Sequence, residues 1–185
     1  MRALWLGFVM VTAGAALMRG TSDADPFRPT GPAGVLLFVT SDCPISNAYA
    51  PEIERTCAAF APKGVACTLV YEDLRIDEAA VRKHRGEFAY GAAVSFLIDA
   101  DRAIATRARA TVTPQAVVVD RSGAVRYRGR IDNKYVAIGK PRRVVTVHDL
   151  QDVLDAVVAG KPVTAPETTA FGCDIVPTNL LRKEP

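Results

Sequence analysis

The sequence predicts an α/β fold, a central mixed β-sheet with helices on both faces. Short apolar runs of strand type alternate with segments of helical period, the order that lays helices over a sheet. The turn Asp120-Arg121-Ser122-Gly123 joins two strand-like runs into a closing hairpin. The composition suits one ordinary domain, with 185 residues, 49% hydrophobic and 23% charged, and a net charge of +3. These values argue against a disordered chain, a multi-span membrane protein and a nucleic-acid-binding polyelectrolyte.

Residues 1–20 have the order of an export signal. Met1-Arg2 is basic, Ala3 to Met18 is uncharged and mostly apolar, and small residues at Ala13-Gly14-Ala15-Ala16 offer a cleavage site. As a helix the apolar run is about 24 Å long, short of the ~30 Å hydrocarbon core, so export is expected over anchoring. The mature chain then lives where disulfides persist, in the periplasm or another extracytoplasmic space. It meets the membrane only if the segment stays uncleaved.

Residues 21–33, rich in Pro, Asp, Thr and Gly, read as a leader loop. Val35 to Val39 is a continuous apolar run, expected as a strand covered on both faces. From Pro44 to about Ala61, Ile45, Tyr49, Ile53, Cys57 and Phe60 form one helical stripe. Val65 to Tyr71 is a second strand. Asp77 caps a helix running to about Tyr90, with Val81, His84 and Phe88 along one side. Val94 to Ile98 is a third strand, Arg102 to Ala108 a short helix, and Gln115 to Val119 a fourth strand. Ala124 to Arg130 is the hairpin partner, and 131–145 a loop. Thr146-x-x-Asp149 reads as a capping box opening a helix whose Leu150, Val153, Leu154 and Val157 face one way. Gly160 and Pro162 stop it, leaving a domain over 34–160 and a tail over 161–185 without periodicity.

Cys43 follows a strand and precedes Pro44, which is tolerated at a first helical position because that N–H has no intrahelical partner. A helix N-terminus favours a thiolate. Lowering a thiol from ~8.5 to ~6.5 raises its ionised fraction at pH 7 from about 3% to about 75% and requires ~2.7 kcal/mol. A helix terminus supplies at most about 2 kcal/mol. Donors such as Ser46 or Thr40 are therefore expected to help, and Asp42 to oppose.

The strand-Cys43-Pro44-Ile45-Ser46-helix segment resembles the CxxC site of the thioredoxin superfamily, with serine in the second place. Pro51 matches the family's proline within that helix. Thr113-Pro114 before Gln115 to Asp120 matches its cis-proline and following strand. The resemblance covers roughly 33–160, and the long spacing from Cys43 to Pro114 suits the exported TlpA-like and peroxiredoxin-like (redoxin) branches. It implies a thioredoxin fold and thiol–disulfide exchange with Cys43 as nucleophile. Thr113 and Pro114 would shape the substrate groove. No cofactor is implied, and the expected partner is a thiol or disulfide protein acting as electron donor or client.

Ser46 cannot form the usual disulfide, so a mixed disulfide at Cys43 needs another thiol to resolve it. Cys173, beside Gly172 in the tail, is the candidate. Four cysteines allow three pairings, which sequence does not choose among. Generic layer spacing puts Cys57 and Cys67 about 7–8 Å apart at Cα, slightly beyond disulfide range; the alternatives are a structural Cys57–Cys67 bridge and two buried thiols. Thr40 supplies the Thr-x-x-Cys of peroxiredoxins, but Leu36 fills the position of their proline, so a peroxide substrate ranks lower. A rival reading is Sco-like copper binding by Cys43, Cys173 and His148, because thiolates select Cu(I); the Sco CxxxC pattern is absent. A non-catalytic adaptor is the third class. The arginines at 126, 128 and 130 share one strand face, expected to be solvated.

Overall fold

A computed structural model of the chain describes residues 25–176. The expected export segment lies outside the described residues, as does the start of the leader. Strands are β1 (Ala33–Val39), β2 (Val65–Tyr71), β3 (Val94–Ile98), β4 (Val112–Thr113), β5 (Gln115–Asp120), β6 (Val125–Gly129), β7 (Tyr135–Ala137), β8 (Lys140–Pro141) and β9 (Cys173–Asp174). Helices are α1 (Pro44–Phe60), α2 (Glu78–Glu87), α3 (Ala103–Ala108) and α4 (Asp149–Val158). None of the described helices is long and apolar enough to cross a membrane.

Five strands form one mixed sheet in the order β3-β2-β1-β5-β6. β1 pairs in parallel with β2 and antiparallel with β5, which puts the most apolar run at the centre. All seven residues of β1 are buried, as a strand covered on both faces requires. Alternate side chains divide between two cores. Val35, Leu37 and Val39 face α1, α2 and α4 through Ile53, Val81, Leu150 and Leu154. Leu36 and Phe38 face α3 through Ala105 and Ala108. The helical stripe read from Ile45 to Phe60 is the buried side of α1, and Pro51 lies inside that helix.

Three local expectations are corrected. The Thr146–Asp149 capping box does not form: His148 is the N-cap of α4 and makes no side-chain cap bond. The Thr146 hydroxyl accepts from Asn133 Nδ2 at 2.8 Å, and the Asp149 carboxylate is held by Arg130 Nε at 2.7 Å, so tertiary partners outcompete the local cap. The 131–145 loop contains the small β7–β8 hairpin. The tail is tied down as far as it is described. Arg128 N–H donates to Pro166 O at 2.9 Å and Thr168 N–H to Arg128 O at 3.1 Å, so residues 166–168 run along β6 before the chain reaches β9. The arginine face is paired as well, Arg126 with Asp120, Arg128 with Glu167 and Arg130 with Asp149.

Cys57 and Cys67 form a disulfide between α1 and β2, with Cα atoms 5.9 Å apart. The helix lies closer to the strand here than generic layer spacing allows, and this brings the pair within bonding range.

Candidate functional site

The site is assembled where β1 ends. Cys43 is the N-cap of α1 and Pro44 its first helical residue. The Cys43 N–H donates to Thr40 O at 3.3 Å, and Asn47 N–H donates back to Cys43 O at 3.0 Å. Ser41 N–H and its hydroxyl both donate to Asp73 Oδ1, at 3.1 and 2.6 Å, which anchors the loop to the end of β2. The Thr113–Pro114 peptide bond is cis, and Thr113 O lies 3.2 Å from Cys43 Sγ.

Cys173 closes the arrangement. β9 pairs antiparallel with β4, Thr113 opposite Cys173 and Val112 opposite Asp174. Its sulfur stands 2.7 Å from that of Cys43. The two thiols are free, and Cys173 is exposed. Cys43 is only 1% exposed, with the Cys173 strand lying against it.

Burial works against ionising Cys43, but hydrogen bonds prevail and hold its thiol below the ordinary cysteine value. Donors are the Cys173 thiol, the Ser46 N–H at 3.5 Å, and the Ser46 hydroxyl. That hydroxyl is buried and has no hydrogen-bond partner of ordinary geometry among the described residues, so its help to the sulfur is the weaker of the two from Ser46. Cys173 is pushed up to about 12 by desolvation, by the hydrogen bond it gives to Cys43 and by the charge on Cys43, with Asp42 and Asp174 adding to it. Cys43 is therefore the first of the pair to ionise, and the proton that remains stays on Cys173. Asp42, expected to oppose Cys43, bears instead on Cys173.

Of the residues singled out from sequence, Cys43, Cys173, Ser46, Thr113 and Pro114 come together. Thr40 sits at the rim, its hydroxyl 3.4 Å from that of Thr113. His148 does not join the cysteines. Its ring lies with the carboxylates of Glu52 and Asp132, donor atoms within 4.8 Å of one another, and this is the one such trio among the described residues. The donor set required by a Sco-like copper reading is therefore not assembled.

Sequence reasoning missed a hydrogen-bonded chain that supports the Cys43 loop. Asn47 Nδ2 donates to Ser41 O at 2.9 Å, so its Oδ1 must accept from His84 Nε2, also at 2.9 Å. His84 Nδ1 is then left to accept from the Tyr71 hydroxyl at 2.8 Å. This assigns one neutral tautomer, and burial lowers the imidazole below its ordinary value accordingly. The helical spacing of Val81, His84 and Phe88 marked the ring as inward-facing; nothing local named Asn47 or Tyr71 as its partners.

The chain is similar to a hypothetical protein from Sinorhizobium meliloti 1021, with 25% identity over 78% of this chain and 79% of that one and a TM-score of 0.68. An uncharacterized conserved protein from Geobacillus kaustophilus has the same identity and TM-score, covering 78% of this chain and 76% of its own. The thioredoxin domain of a thiol-disulfide oxidoreductase from Bacteroides vulgatus superposes over 71% of this chain and 81% of that one, at a TM-score of 0.50 and 18% identity. The chain has the thioredoxin fold. That fold puts the cis Thr113–Pro114 bond against Cys43. No protein-family model and no curated protein matches the sequence.

Proposed function

We propose that this thioredoxin-fold chain is an exported thiol–disulfide oxidoreductase with Cys43 as nucleophile and Cys173 as resolving thiol. One observation carries the reading: two free sulfurs 2.7 Å apart beside a cis-prolyl bond, one favoured as thiolate and the other as thiol. The Cys43 thiolate attacks a client disulfide, forming a mixed disulfide and expelling the client's other sulfur as a thiolate. Cys173 loses its proton and attacks Cys43 Sγ, giving a Cys43–Cys173 disulfide and the released client thiol. The client disulfide is reduced by two electrons, and a partner dithiol protein restores the pair. Cys173 thus does the work of the cysteine that Ser46 replaces, while the Ser46 hydroxyl and N–H stabilise the Cys43 thiolate. Export rests on the signal-like residues 1–20, and the Cys57–Cys67 disulfide suits an oxidising compartment.

The test is insulin reduction by the full chain with dithiothreitol, followed by mass mapping. Cys43→Ser should abolish turnover. Cys173→Ser should stall as a Cys43 mixed disulfide, and the oxidised parent should carry a Cys43–Cys173 bond. A Cys43→Ser chain with full activity, or an oxidised parent without that bond, refutes the proposal.

A further inference from the structure

We infer that β9, with Gly172 before it, and an extended client polypeptide compete for one backbone edge, so that docking the resolving cysteine also expels the client. The inference rests on the redox-pair reading above. The edge is β4. Its Thr113 faces Cys173 in register, Ile175 N–H donates to Thr111 O at 2.9 Å, and the Thr113 hydroxyl reaches Cys173 O at 3.5 Å. Ile175 is buried and anchors the strand beside Phe38 and Val117. The chain thus lays a cysteine-bearing strand across Cys43, sealing it from solvent. A client strand pairing with the same edge cannot bind until the tail lifts, because β9 already lies opposite Val112 and Thr113 and its Ile175 N–H already holds Thr111 O. Conversely, Cys173 reaches Cys43 only as β9 displaces the client. The thiol that resolves the mixed disulfide and the strand that evicts the product are one segment.

Gly172 is the positioning residue for this exchange. A Cβ there would lie 2.6 Å from the carbonyl carbon of Thr113 and 3.1 Å from Pro114 N, and would overlap Thr113 O outright. These are backbone atoms that cannot swing aside, so any side chain at 172 lifts β9 from the edge. The physical use of the glycine at 172 is this close approach.

In the resolving step the Cys43–client S–S bond breaks and the Cys43–Cys173 bond forms. The Cys173 proton goes to solvent and the client sulfur leaves as a thiolate that takes up a proton, so two electrons pass to the client and no further oxidant enters.

The experiment uses the full chain and a synthetic Phe-Gly-Cys-Asp-Ile-Val peptide activated as a pyridyl disulfide. The first step is capture of the peptide by Cys43, measured in a Cys173→Ser background where the tail docks but cannot bond. Adding Gly172→Ala should speed capture, because the edge is vacated. The second step is release of peptide from a preformed mixed disulfide with Cys173 present, and Gly172→Ala should slow it. Overpacking penalties of the usual size correspond to about ten- to a hundredfold in each step. Ile175→Ser, which loosens the strand from its other end, should reproduce both signs. Two unchanged rates, or two slowed rates as general damage would give, overturn the inference while leaving the redox pair intact. A parent chain that releases peptide with Cys173 still reduced overturns the redox-pair reading itself.

Discussion

Replacing Glu72 by Gln should flatten a pH dependence that the parent chain owes to one buried carboxyl. Glu72 follows β2, is 1% exposed, and neither carboxyl oxygen has a hydrogen-bond partner among the described residues. Burial pushes it up to about 9, the nearby Asp99 adds to this, and Arg102 opposes it. In the unfolded chain the group ionises near its ordinary 4.5. Its folded value is raised, so its contribution to stability is fully present below the unfolded value and is lost as pH climbs toward the folded one. Between those limits the native state holds a proton that the unfolded state has released, and stability falls by about 1.4 kcal/mol per pH unit. From pH 5 to pH 8 the loss approaches about 4 kcal/mol, large beside a typical total of about 5–15 kcal/mol. Gln binds no proton, so subtracting the variant's profile from the parent's isolates Glu72 from His84 and Cys43, whose lowered values slope the other way. Urea unfolding at several pH values, with the Cys57–Cys67 bond intact, gives both profiles. Parallel curves for parent and Glu72→Gln would refute the reasoning.

Ultraviolet thiolate absorbance of the reduced pair should show one ionisation below the ordinary cysteine value and a second near 12, the second vanishing in Cys173→Ser; a single step at the free-thiol value would contradict this order of ionisation. Replacing Cys57 and Cys67 by Ala should cost about 2.7 kcal/mol in chemical denaturation, from the loop-closure entropy of a bridge of sequence separation 10. Asn47→Ala leaves His84 Nε2 and Ser41 O without their partner, and should cost about 1–3 kcal/mol per orphaned group. In the parent, the His84 imidazole should titrate below 6.5 by NMR, because burial disfavours its cation.

The main elements were legible because each carries its own period. The runs at 35–39, 65–71 and 94–98, and the stripe from Ile45 to Phe60, name their faces without tertiary help. The cap at Asp77 was legible for the same reason: its carboxylate accepts from Ala80 N–H at 2.8 Å, a contact between near neighbours. The failed cap at Thr146–Asp149 shows the limit of such reading. Its residues are equally suitable, but Asn133 and Arg130 arrive from elsewhere and claim them. β4 and β9 were invisible because two residues have no periodicity, although their pairing delivers Cys173 to the site.

The amino-acid order alone determined a helix N-terminus at Cys43 and a core divided by alternation and helical stripes. These depend on contacts within a few residues, where side-chain type decides the outcome. Only the tertiary structure decided which sulfur meets Cys43, which donors lower it and which backbone edge the tail occupies. Those contacts join segments separated by as many as 130 positions. Their geometry depends on how every intervening layer packs, and no short stretch of sequence encodes it.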